Sequence, residues 1–170
     1  MAATTVRRFN GIVTRLLFLG FFLAGCGHHR GSPLKKPKGL FYGSLERLSW
    51  PVKGKVSSPF GRRSFSRHYG LDIRAAKGTK IVAAASGRVI KVGWQKGYGK
   101  TIVIRHKKLQ TLYAHCNEIK VSPLQWVNKG DTLGTVGKTG NARGYHLHFE
   151  VRTLKWSALN PLDHLPKRYF

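Results

Sequence analysis

Acidic residues are scarce in this sequence. Of 170 residues, 31 are Lys or Arg and only 6 are Asp or Glu, a formal charge of +25. The acids are Glu46, Asp72, Glu118, Asp131, Glu150 and Asp163. That number cannot furnish a carboxylate-built calcium or magnesium site, and it argues against the paired carboxylates of a glycosidase. Two cysteines, Cys26 and Cys116, exclude a disulfide framework. No apolar run reaches the roughly 20 residues of a membrane-spanning helix. No stretch after residue 50 carries an extended pattern of period 3.6, so long amphipathic helices are not expected. Disorder is excluded too, because 41% of the chain is hydrophobic and 20 glycines punctuate it. A chain of this length favours one compact domain.

The N-terminus reads as an address. Arg7, Arg8 and Arg15 precede the run Leu16 to Leu23, then Ala24, Gly25 and Cys26. Charged, apolar and small-residue regions in that order make a secretory signal. The order Leu23-Ala24-Gly25-Cys26 resembles a bacterial lipobox, which implies cleavage after residue 25 and acylation of Cys26. More than one acyl chain, at about 0.8 kcal/mol per buried methylene, anchors a protein stably. Gly27 in place of an Asp leans, by that analogy, towards the periplasmic face of the outer membrane. Removing residues 1–25 leaves 28 basic and 6 acidic residues, a net +22. Such a surface concentrates near polyanions, and export makes cell-envelope polymers the expected ones rather than nucleic acid. Residues 26–49, with Pro33, Pro37 and several lysines, read as a basic tether reaching about 25–30 Å. The adjacent His28 and His29 within it read as solvated side chains, not a metal site.

Residues 50–165 read as a domain of many short strands, with 166–170 as a tail. Apolar runs at 80–84, 87–94, 101–106, 111–115, 132–136 and 145–151 are rich in Val, Ile and Thr and separated by glycine-containing turns. Several alternate apolar and polar, as in Thr101-Ile-Val-Ile-Arg105, which predicts half-buried strands. The expected fold is all-β, an antiparallel sandwich or partly open barrel.

Residues able to do chemistry fall on these strands. In His146-Leu147-His148 the period of two projects both imidazoles from one face. His68-Tyr-Gly-Leu-Asp72 reads as a bend at Gly70 entering a strand, which lets His68 and Asp72 meet one ion. A catalytic zinc takes three protein ligands and keeps an open position; His68, Asp72 and one of His146 and His148 supply that number. His115, at the end of the strand starting at Thr111, reads as a ligand, a general base or a structural histidine. His106 and His164 receive no function.

In this order the elements resemble the LytM/lysostaphin-type zinc endopeptidases, which cut peptide bridges of the bacterial cell wall. The resemblance runs from about Trp50 to Leu162. It includes Trp50-Pro51-Val52, Ser58-Pro59-Phe60-Gly61-Arg62-Arg63, HYGLD (68–72), GTKIVAAASG (78–87), the turn Gly97-Tyr98-Gly99, TLYAH (111–115), GDTLGTVGKTG (130–140) and Gly144-Tyr-His-Leu-His-Phe-Glu150. It implies His68, Asp72 and His148 as zinc ligands, and His115 and His146 as unliganded catalytic histidines. Tyr98 and Arg143 become candidate substrate-binding residues, Arg143 by gripping a stem-peptide carboxylate. Cys116, where a Leu commonly follows Tyr-Ala-His, is expected to act as a small buried hydrophobe facing away from the site. The implied activity is hydrolysis of peptidoglycan cross-links, here D-Ala to meso-diaminopimelate. The alternative is a silent member that activates a cell-wall amidase or division partner; filling of all five positions argues against it.

Overall fold

The computed structural model describes residues 47–64 and 66–167. The expected signal peptide, the lipidated Cys26, the tether up to residue 46 and the last three residues lie outside them. Leu48 and Ser49, expected in the tether, belong to the folded body. Leu48 is buried, and the Ser49 N–H donates to the Ala84 carbonyl at 2.8 Å.

Every strand pair is antiparallel. The main sheet contains β1 (Lys55–Ser58), β4 (Leu71–Arg74), β6 (Gly87–Gln95), β7 (Gly99–Arg105), β8 (Leu109–Ala114), β10 (Trp126–Val127), β12 (His146–Thr153) and β13 (Ala158–Leu159). Its order is β1-β4-β12-β8-β7-β6-β10, with β13 added to β12, and it does not close into a barrel. A second sheet, β5 (Lys80–Val82), β11 (Thr132–Val136) and β9 (Cys116–Ile119), runs in the order β5-β11-β9. The hairpin β2 (Gly61–Arg62) with β3 (Arg67–His68) leads into β4. Among the described residues the only helix is the 3-10 turn Pro161–Asp163, so the expected all-β class holds.

The core lies on one face of the main sheet. Leu71 and Ile73 of β4, Ile102 and Ile104 of β7, and Leu147, Phe149 and Val151 of β12 are fully buried there. Each such side chain contributes about 1.5–3 kcal/mol. One expectation is corrected: Thr101 to Ile104 are buried on both faces, not half-buried. Val103 joins Leu112 and Ala114 in a second, small apolar cluster on the other face, against which Tyr98 packs. The same strand alternation that points Leu147 into the core points His146 and His148 out of it. The site therefore stands on a sheet that is packed on both faces.

Candidate metal centre

The site is assembled by register. His148 on β12 sits opposite Asp72 on β4, and His146 opposite Arg74. Leu71 and Ile73 enter the core, which turns Asp72 to the face that bears the histidines. His68 reaches that face because the chain bends at Gly70, pressed against β12. A Cβ at Gly70 would stand 2.6 Å from the Phe149 carbonyl and 2.8 Å from the His148 ring.

His68 Nε2, Asp72 Oδ1 and His148 Nδ1 converge. The separations are 3.1 Å from His68 Nε2 to each of the other two atoms and 2.8 Å between Asp72 and His148. Donors around a tetrahedral zinc with bonds of about 2.0–2.1 Å stand about 3.3 Å apart. Two imidazoles and one carboxylate so placed fit zinc, and His68, Asp72 and His148 form the metal-capable cluster of the described residues.

The other nitrogen of each histidine fixes which one faces the centre. His68 donates from Nδ1 to the Pro59 carbonyl at 2.6 Å, leaving Nε2 towards the centre. His148 donates from Nε2 to Glu150 Oε1 at 2.9 Å, leaving Nδ1. His115 donates from Nδ1 to the Thr139 carbonyl at 2.7 Å, and His146 from Nδ1 to the Gly144 carbonyl at 2.9 Å. In the neutral ring this leaves each Nε2 with its lone pair. The His115 and His146 rings stand 4.8 Å apart, and His146 Nε2 is 3.7 Å from Asp72 Oδ1, the longest approach to that oxygen among the three histidines that pair with it. His115 owes its position to backbone strain. Its φ is 61°, in the left-handed region, which joins β8 to β9 and costs of order 1–3 kcal/mol. The next residue, Cys116, drops into the core as expected.

Charge is arranged around the donors. Burial disfavours the Asp72 anion, but hydrogen bonds and charge from His148 and His68 outweigh it and hold the carboxyl well below the usual range. Arg63 fixes the second oxygen, donating to Asp72 Oδ2 at 3.0 Å. Burial likewise disfavours the His148 cation, yet Asp72 and Glu150 together raise its pKa above the ordinary value. Burial pushes the His115 imidazole down to about 4, aided by the neighbouring His146, so it is neutral near pH 7.

Glu150 and Arg63 are the partners of the cluster that sequence reasoning missed. Glu150 is fully buried and accepts from His148, from the Tyr98 hydroxyl at 2.8 Å and from Arg152 Nε at 2.5 Å. Burial opposes its charge, and His148 with Arg152 lower its pKa regardless. The signal was present: Glu150 extends the period of two that links His146 and His148, and it is one of only six acids. Tyr98 is half-buried, its ring edge on His148 with centroids 5.5 Å apart. Burial and then Glu150 push its phenol up to about 12. Its hydroxyl is engaged within the protein, donating to Glu150. Arg143 lies exposed on the loop before β12.

Residues 66–161 match the model of peptidase family M23. The chain belongs to that family. Over 121 residues it is 40% identical to the murein hydrolase activator NlpD of Escherichia coli, covering 70% of this chain and 31% of that protein. Over 119 residues it is 36% identical to the DD-carboxypeptidase/endopeptidase Mpg of Neisseria meningitidis, covering 66% of this chain and 27% of that one. A solved zinc containing peptidase from Vibrio cholerae superposes with a TM-score of 0.61 at 29% identity, covering 68% of this chain and 39% of that chain. This M23 chain thus spans about a third or less of the length of these curated relatives.

Proposed function

We propose that this M23 chain is a zinc endopeptidase that hydrolyses peptide cross-links of bacterial peptidoglycan, between D-Ala and meso-diaminopimelate. The observation that carries the reading is the set of hydrogen bonds that commits one nitrogen of each of four histidines to a protein acceptor. It leaves His68 Nε2 and His148 Nδ1 with Asp72 as ligands, and His115 Nε2 and His146 Nε2 beside them.

Zinc held by these residues supplies a Lewis acid that lowers the pKa of a bound water towards 7 and polarises the scissile carbonyl. A neutral imidazole whose Nδ1–H is held by a backbone carbonyl takes the proton of the attacking water on Nε2 and passes it to the leaving amine. The second histidine donates to the developing oxyanion only when protonated, because its Nδ1–H is already spent on a carbonyl. His115 and His146 divide these two tasks. Glu150 holds the His148 ring and Arg63 the Asp72 carboxylate, so the ligands are oriented before the metal arrives. Arg143, exposed on the loop before β12, is assigned to grip a substrate carboxylate. The N-terminal sequence supports an envelope location with Cys26 as lipid anchor, and the positive surface favours contact with acidic wall polymer. Its attraction should weaken as salt shortens the Debye length from about 10 Å at 0.1 M.

The second reading, a silent activator of a cell-wall amidase, is favoured by the 40% identity to NlpD. Purified protein incubated with peptidoglycan, with zinc, with chelator and with zinc restored, separates the two. The endopeptidase reading expects cross-linked dimers to fall and monomers to rise, blocked by chelator and recovered with zinc. Intact cross-links with zinc bound select the activator.

A further inference from the structure

One register step from the metal ligands lies a second row of side chains. Ser58, Asp72 and His148 sit opposite one another across β1, β4 and β12, and Lys55, Arg74 and His146 form the next row on those strands. Asp72 and Arg74 share a face because Leu71 and Ile73 between them are fully buried in the core. His146 and His148 share it because Leu147 and Phe149 are buried on the other side. Cross-strand neighbours on one face have Cβ atoms about 4.5–5.5 Å apart, and successive rows stand about 7 Å apart along a strand. Arg74 therefore flanks His146 directly, on a strand rather than a loop.

The row is electrostatically unsatisfied. Lys55 and Arg74 are both exposed and stand opposite one another, an arrangement that repels. Among the described residues no carboxylate lies within ion-pair distance of either, since Asp72 is engaged by Arg63, His68, His146 and His148, and Glu150 by His148 and Arg152. Two cations held together beside a hydrolytic centre, without a protein counter-charge, suit an anion that the substrate brings.

We propose that Arg74, backed by Lys55, binds the carboxylate carried on the carbon attached to the leaving nitrogen. The proposal rests on the endopeptidase reading and names the substrate more closely. In a D-Ala to meso-diaminopimelate cross-link that carbon bears a free carboxylate, three bonds from the scissile carbonyl carbon. A terminal D-Ala-D-Ala bond has the same feature, and an internal bond of an oligoglycine bridge lacks it. The guanidinium can hold the carboxylate with two parallel hydrogen bonds. The site then selects cross-links with an acidic leaving side and disfavours those in which that carboxyl is amidated. Arg74 is a specificity-determining residue with no part in the proton transfers.

The test uses the zinc-loaded full-length protein in mild detergent and two disaccharide tetrapeptides containing meso-diaminopimelate, one with the relevant carboxyl free and one with it amidated. Neither contains a cross-link, so equilibrium binding is measured by calorimetry without turnover. The free acid should bind about tenfold or more tightly than the amide, the worth of one charge-assisted pair. Arg74→Gln should abolish that difference while leaving the amide's affinity unchanged, and Lys55→Gln should reduce it in part. With cross-linked dimers Arg74→Gln should raise KM about tenfold and leave kcat within about twofold. Equal binding of acid and amide, binding of neither, or discrimination surviving in Arg74→Gln overturns the proposal. Selective binding of the acid by a protein that never cuts dimers overturns the endopeptidase reading alone and leaves the subsite standing.

Discussion

His148 on β12 and His106 in the turn between β7 and β8 are both buried histidines, with 7% and 8% of their surface exposed, and they are wired in opposite ways. His106 Nδ1 donates to the Ser86 carbonyl at 2.9 Å, and its Nε2 stands 2.8 Å from the Thr111 hydroxyl. That hydroxyl lies 3.0 Å from the Tyr113 hydroxyl, which accepts the Ala84 N–H at 2.9 Å. Both ring nitrogens are paired with uncharged groups, and the chain of hydrogen bonds ties the β7–β8 turn to the body of the fold. His148 has one nitrogen on Glu150 and the other on Asp72, so the ring stands between two carboxylates that favour its cationic form. A proton on Nδ1 is stabilised there in the metal-free protein, and it is what zinc must displace. Burial alone does not distinguish the two histidines. The charge of the partner does.

The sharpest way to break this comparison is to remove a ligand. Asp72→Ala should abolish zinc binding and hydrolysis together, whereas His106→Ala should leave zinc content at one per chain. His106→Ala should instead cost about 1–3 kcal/mol of stability through the unpaired buried groups left behind. Elemental analysis and urea denaturation of the two variants separate the effects, and metal loss in His106→Ala would contradict the distinction.

Next in size is Glu150→Gln, which keeps the shape but removes the charge facing His148 and Arg152. Zinc affinity measured against a chelator should fall about 10- to 100-fold, and the fold should weaken because Arg152 loses its counter-charge. Unchanged affinity would reduce Glu150 to a packing residue.

The pH dependence of zinc binding follows from the raised pKa of His148. A raised value means that the metal-free folded protein holds the proton more tightly than a free imidazole does. As pH falls through that value, proton and zinc compete for Nδ1 and zinc affinity drops. Above it the competition disappears. Calorimetry in buffers of different ionisation enthalpy should therefore show protons released as zinc binds near pH 6, fewer in Glu150→Gln. Release that is absent in the wild type would contradict this competition between proton and zinc.

The smallest effect is expected at Cys116, whose thiol burial pushes up to about 12. Cys116→Ala should cost about 1 kcal/mol of packing and leave zinc content and turnover intact; loss of zinc would bring the thiol into the site.

Much of this was legible in the sequence because it depended on alternation. Thr, Val and Ile at period two marked β6, β7, β8, β11 and β12, and the same alternation put His146 and His148 on one face. Gly70 marked the bend that brings His68 to Asp72. What was not legible depended on register and on tertiary cover. Spacing alone left His146 and His148 equivalent as ligands. They differ because His148 sits opposite Asp72 and His146 opposite Arg74. The alternation in Thr101–Arg105 suggested one wet face, but Tyr98 and the residues around Leu112 cover it. The left-handed backbone at His115 had no local signal, since it is imposed where β8 hands over to β9. Arg63 was visible only as part of a motif, because its partner Asp72 is nine residues away across a hairpin.

The most direct test of the account sets His148→Ala beside His146→Ala in the same protein, with zinc content and cross-link hydrolysis measured for both. The account predicts that His148→Ala loses zinc and turnover. It predicts that His146→Ala keeps one zinc per chain while its turnover falls by about 10²- to 10⁴-fold. Equal loss of zinc in the two variants, or zinc retained only in His148→Ala, would contradict it.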